Sequence, residues 1–178
     1  MNTTHYPTAP VSQPSARHTL AVIVDNEPGV LARIAGLFSG RGYNIESLTV
    51  SETEHESHLS RITVVTSGTE AVIDQIKAHL DRLVPVHRVV DLTLQGDAIE
   101  RELCLLKVVG KGDHRVEAMR LAAAFGARTL DATLESFVFE LTGSTDEVER
   151  FIKMMAAVGL REVSRTGVAA MSRGAEAM

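Results

Sequence analysis

The order strand, helix, strand, strand, helix, strand can be read twice along this chain, and that internal repeat limits the fold more than any single motif does. Leu20 to Val24 is an unbroken apolar run, too short for a helix and rich in β-branched residues, so a buried strand is predicted from about His18 to Asp25. Pro28 sits where a first-turn proline starts a helix. Val30, Leu31, Ile34, Leu37 and Phe38 recur at helical spacing to about Ser39, and Gly40 and Gly42 end the helix. A second strand is predicted from Asn44 to about Thr53. Its apolar residues Ile45, Leu48 and Val50 change parity, as a bulge would make them do. Glu52 to Ser57 reads as a hairpin tip, and a third strand follows from Leu59 to about Thr66. Ser67-Gly68-Thr69-Glu70 has the spacing of a capping box. The helix behind it carries the stripe Val72, Ile73, Ile76, Leu80, Leu83, and Pro85 is expected to stop it. Val86 to Leu94 is the fourth strand, and Gln95-Gly96-Asp97 a hinge.

After the hinge the order returns. Leu103 to Val109 is a strand, Gly110-Lys111-Gly112-Asp113 a turn into a helix through Phe125, and Gly126 its C-terminal cap. Arg128 to Leu134 and Phe137 to Thr142 pair as a hairpin. Ser144-Thr145-Asp146-Glu147 is a second capping box, leading a helix with the buried face Val148, Phe151, Ile152, Met155, Val158. Gly159 closes that helix, and Arg161 to Met171, interrupted at Gly167, is the last strand. The fold class is therefore α+β, two consecutive ferredoxin-like βαββαβ units, each an antiparallel sheet with helices on one face. The expected organisation is a disordered tail over 1–17, a first domain over 18–95, a second over 96–174 and a frayed end over 175–178.

A sheet with helices on one face leaves the other open unless something covers it. The first strand is apolar on both faces, with Leu20, Val22 and Val24 on one and Ala21 and Ile23 on the other. A covered second face is implied, and a symmetric homodimer is the simplest cover. Composition narrows the function classes. An apolar fraction of 44% with a net charge of -5 is that of an ordinary soluble globular protein without a basic nucleic-acid footprint. No run reaches the length of a membrane span, and no signal-peptide core is seen at the N-terminus. The single cysteine, Cys104, lies in an apolar run, so it forms no intrachain disulfide and fits a cytoplasmic setting as a small core residue.

Chemistry concentrates between Asp25 and Ser47. A strand, a tight turn and a helix leave unpaired N–H groups at the positive end of the helix dipole, where a carboxylate or phosphate is favoured. Gly29 lacks a Cβ, so a small ligand can approach the backbone there. The residues alone leave a second reading open, in which Pro28 and Gly29 only set the chain direction.

The run N-E-P-G-V-L-A-R-I-A-G-L-F-S-G-R-G-Y-N-I-E-S-L-T-V, residues 26 to 50, resembles the ACT domain of the regulatory (small) subunit of acetolactate synthase, also called acetohydroxyacid synthase. R-G-Y-N-I-E-S-L-T-V at 41 to 50 is the specific part. The resemblance extends to L-S-R-I-T at 59 to 63 and S-R-T-G-V-A-A-M-S-R-G at 164 to 174, and is weaker over 111 to 160. It implies a chain with no catalytic site and no cofactor of its own. The partner large subunit is expected to hold thiamine diphosphate, Mg and FAD and to make the branched-chain precursor from pyruvate. This chain would raise that activity and make it sensitive to valine. The resemblance further implies a site across an ACT homodimer, with Asn26, Gly29, Val30 and Leu31 from one protomer and Asn44 and Ile45 from the other. Pro28 departs from the small polar residue often found at that place, and removes one potential N–H donor.

Two alternatives carry different signatures. A free-standing ACT-domain amino-acid sensor would regulate another protein and lack a large-subunit gene nearby, and an enzyme on this scaffold needs a catalytic constellation that the chain does not spell. His55 and His58, in the hairpin tip, lack a nearby third ligand and read as solvated rather than metal-binding. Arg165 and Arg173 read as a solvated edge, with an acidic partner surface as the alternative.

Overall fold

The computed structural model describes residues 14–54, 58–94, 96 and 98–175. Most of the expected tail, the hairpin tip at 55–57, two hinge residues and the last three residues lie outside them. The first unit runs β1 (Ala16–Asp25), α1 (Val30–Gly40), β2 (Ser47–Glu54), β3 (Leu59–Gly68), α2 (Glu70–Leu80) and β4 (Val86–Asp91). The second runs β5 (Ile99–Val109), α3 (Asp113–Phe125), β6 (Arg128–Ala132), β7 (Ser136–Gly143), α4 (Thr145–Ala156) and β8 (Leu160–Arg165), followed by a short β9 (Ala169–Met171). The strand orders are β2-β3-β1-β4 and β6-β7-β5-β8, with β9 pairing the start of β5. All these pairings are antiparallel, so the chain is the predicted pair of ferredoxin-like α+β units.

Each unit has its own core under its helices. In the first, Leu20, Val22, Val24, Ile62 and Val64 meet Ile34, Phe38, Ile73, Ile76 and Leu80. In the second, Cys104, Leu106, Val108, Phe137 and Phe139 meet Ala118, Ala122, Val148, Phe151 and Met155. Burial pushes the Cys104 thiol up from its ordinary pKa, so it is an inert core group.

Several local expectations change. Pro28 precedes the α1 N-cap, Gly29, instead of opening the helix. Helix α2 ends at Leu80, and Pro85 lies in the following turn, where its carbonyl accepts the Asp25 N–H at 2.9 Å. The N-cap of α2 is Thr69, because Ser67 stays in β3 and bonds Glu46 instead. Asn44 and Ile45 precede β2, which explains their parity without a bulge. The register shift falls between Glu52 and Glu54. The capping box at Ser144 and Glu147 and the Gly126 cap form as expected.

The outer face of the first sheet is covered by the chain itself. Ala21, Val65, Val90 and Leu92 pack with Val168 and Ala170, which arrive from the far end of the second unit. The cover inferred from the doubly apolar first strand exists, then, within one protomer over this part of the sheet. Ile23, nearer the other end of β1, stays half-buried.

Candidate functional site

The sequence-predicted residues fall into two groups on one protomer. Asn26, Gly29, Val30 and Leu31 lie beyond the C-terminal end of β1, where the Asn26 N–H donates to the His58 carbonyl at 2.7 Å. Asn44 and Ile45 lie just before β2, whose first residue, Ser47, pairs with Val65, and Val65 in turn with Thr19. Asn26 lies seven residue steps along the chain from Thr19, about 23 Å at the rise of a β-strand. A single protomer therefore does not bring the groups together.

The helix start is open in the way an anion site requires. Gly29 has φ 90°, a left-handed conformation that costs a residue with a Cβ, and no side chain caps the helix. The first turn of α1 contains no acidic residue, so its positive end is left uncompensated. A Cβ built on Gly29 meets no atom within 4 Å, so the turn opens onto free space. The equivalent turn in the second unit also has a glycine N-cap, Gly112, but there Asp113 supplies a carboxylate to the first turn. Val30 is buried in the core, so only its backbone can face a ligand, whereas Leu31 is 42% exposed.

The second group is held from below. The Thr66 hydroxyl donates to the Asn44 carbonyl at 2.6 Å, and the Glu46 N–H donates to the Val65 carbonyl at 2.8 Å. Ile45 packs against the first core while the Asn44 side chain stays exposed. The backbone is fixed and the amide is presented outward.

A second feature escaped the sequence altogether. A cleft of about 520 Å³ lies between the units, lined among others by Arg17, Glu46, Ser47, Glu102, Arg165 and Gly167. Arg165, expected at a solvated edge, makes two bonds of 2.6 Å to the buried Glu102 carboxylate. That hydrogen bonding pushes its pKa above the ordinary arginine value. Its partner is 63 residues away in sequence, beyond the reach of local spacing. Among the described residues no group of His, Cys, Asp and Glu is placed to hold a metal, and no helix is long and apolar enough to cross a membrane.

Residues 20–88 match the model of the AHAS small subunit-like ACT domain, so fold and helix-start geometry together define an ACT-domain protein with a second ferredoxin-like unit. Residues 101–174 match the model of the small subunit of acetolactate synthase. A probable acetolactate synthase small subunit of Archaeoglobus fulgidus is 46% identical over 158 residues, 89% of this chain and 98% of that one. The acetolactate synthase isozyme 3 small subunit of Salmonella typhimurium is 42% identical over 163 residues, 91% of this chain and 99% of that one. The crystal structure of the acetolactate synthase small subunit from Thermotoga maritima superposes with a TM-score of 0.81 at 34% identity, covering 90% of this chain and 99% of that one. The chain belongs to the acetolactate synthase small-subunit family.

Proposed function

We propose that this chain is the regulatory subunit of a cytoplasmic acetolactate synthase, activating a large catalytic subunit and making it sensitive to valine or another branched-chain amino acid. Thiamine diphosphate, Mg and FAD belong, in this reading, to the large subunit. The observation that carries the ligand site is the separation of its two groups by about 23 Å within one protomer. Each protomer then offers half a site at each end of its first sheet, and a two-fold axis joins unlike halves. The ligand carboxylate takes N–H groups at the uncapped start of α1, the amides of Asn26 and Asn44 complete the polar contacts, and Leu31 and Ile45 hold the branched side chain. Valine inhibits only to the extent that its affinity differs between the active and inhibited assemblies.

The test is acetolactate formation by the large subunit, titrated with this chain at zero and saturating valine, alongside thermal melting of the chain alone. Valine at a hundredfold excess over Kd should add about 2.7 kcal/mol to the stability of the parent. Gly29→Asp should abolish that shift, because it puts a negative charge where the carboxylate sits. Asn44→Ala should weaken valine binding about five- to a hundredfold, the equivalent of about 1–3 kcal/mol, while activation survives. A Gly29→Asp chain that still responds like the parent places the site elsewhere, and sedimentation as a monomer at micromolar concentration removes the two-fold site.

A further inference from the structure

The last residues of the second unit form a strap. Leaving β8, the chain turns at Gly167, with φ 82°, and crosses the outer face of the first sheet before β9 pairs with Ile99–Arg101. The Val168 N–H donates to Ser47 Oγ at 2.9 Å, the Thr49 hydroxyl donates to the Val168 carbonyl, and Arg61 Nη2 donates to the Ala170 carbonyl at 2.7 Å. Val168 and Ala170 are buried against Ala21, Val65, Val90 and Leu92. The fit at the turn is tight, because a Cβ on Gly167 would stand 2.6 Å from Ser47 Oγ.

Arg17 makes a second fastening at the same place. From β1 it reaches Glu100 of β5 at 3.0 Å, Thr145 of α4 at 3.4 Å and Glu46 at 3.7 Å. Glu46, Ser47 and Thr49, the residues that follow Asn44 and Ile45, are thus tied to the second unit through either Arg17 or the strap. The backbone holding one half of the amino-acid site is shared with the contact between the units.

Resting on the proposed ligand site, we propose that the strap 166–170 is the coupling element between that site and the second unit. The ligand at Asn44 and Ile45 fixes the start of β2, and the fixed start of β2 seats the strap through Ser47 and Thr49. By reciprocity a seated strap raises ligand affinity by the same factor. A strap that merely glues the units together would add stability and leave affinity untouched, and this separates coupling from packing.

The experiment uses the full chain and valine, with leucine and isoleucine beside it. Hydrogen exchange of the amides over 166–171 is followed with and without valine, and affinity is measured by calorimetry for the parent, Ser47→Ala, Thr49→Val and Gly167→Ala. In the parent, valine should slow exchange across the strap. In the variants that stay folded by circular dichroism, affinity should fall on the order of fivefold and the exchange response should vanish. Ser47→Ala and Thr49→Val are nearly isosteric and keep the test open should Gly167→Ala fail to fold. A parent that binds none of the three amino acids overturns the ligand reading and the coupling with it. A parent that binds, with folded variants of equal affinity and an unresponsive strap, overturns the coupling alone.

Discussion

At one place in both units a polar pair with a buried carboxylate joins the central strand to an edge strand, and the two pairs differ in chemistry. In the first, His18 Nδ1 lies 2.8 Å from Asp91 Oδ2, and Asp91 stands opposite Leu20, two residues beyond His18. In the second, Glu102 bonds Arg165, which stands opposite Cys104, two residues beyond Glu102. The repeat preserves the position of the pair while the acid changes strands. The backbone geometry therefore creates a place for paired polar groups, and the side chains are free to differ so long as they satisfy one another. The units also differ in their outer faces. The first is roofed by the strap, whereas the equivalent face of the second sheet carries half-buried Leu103 and Leu105 beside the ion pairs Lys107–Glu162 and Arg128–Glu140.

The sharpest test of that second difference replaces the outer-facing residue at the same point of each central strand. Ala21→Asp would bury an unpaired charge under the strap and should cost at least about 4 kcal/mol. Leu105→Asp sits on an uncovered face and should cost about 1 kcal/mol, from lost apolar burial. Urea unfolding of both variants measures the contrast, and equal costs would mean that the strap does not enclose Ala21 in solution.

The polar pairs come next in size. Arg165→Leu strips Glu102, whose side chain is only 3% exposed, of both its 2.6 Å bonds, and should cost about 3 kcal/mol. His18→Leu leaves Asp91 still accepting the Thr93 N–H at 3.0 Å, and should cost about 2 kcal/mol. If His18→Leu proved the more damaging, the first pair rather than the second would be the main polar fastening.

How much of this was legible in sequence follows from the range of each interaction. The apolar stripes of α1, α2 and α4 and the apolar runs of β1 and β5 depend on neighbours within a few residues, and they place these elements and the two cores correctly. The helix start at Gly29 is local too, so its open geometry could be anticipated. The roof over Ala21 could be inferred as a need, but not its source, because Val168 lies more than a hundred residues away and its short segment has no strong periodicity. The Arg165 and Glu102 pair joins two strands of one repeat across 63 residues, beyond the reach of local spacing, and the Arg17 node and the cleft between the units depend on how the repeats sit against each other. The pattern of either repeat alone does not encode that.

The smallest contrast lies at the start of the second helix of each unit, where the sequence spelled a capping box twice and the fold made one. S-G-T-E and S-T-D-E both place Glu three residues after Ser. In the first, Ser67 is still paired in β3 with Arg17, so the helix opens two residues later on Thr69, and its third helical position is the apolar Val72. Thr69 caps alone, accepting from the Val72 N–H at a long 3.4 Å. In the second, β7 ends at Gly143, Ser144 is free to cap, and Glu147 returns to accept the Ser144 N–H at 2.8 Å. That backbone bond, and then the Ser144 hydroxyl, hold the Glu147 carboxyl below its ordinary pKa. A depressed carboxyl contributes stability that is present above its unfolded pKa, about 4.3, and is lost as pH falls through the folded value below it. Ser144→Ala should therefore cost about 1 kcal/mol at neutral pH and Thr69→Ala about 0.5 kcal/mol. The stability gap between the parent and Glu147→Gln should close below about pH 4. Melting curves at pH 3 to 7 decide the point. Equal costs at the two caps, or a gap for Glu147→Gln that ignores pH, would mean that the reciprocal bond adds nothing in solution beyond a single cap.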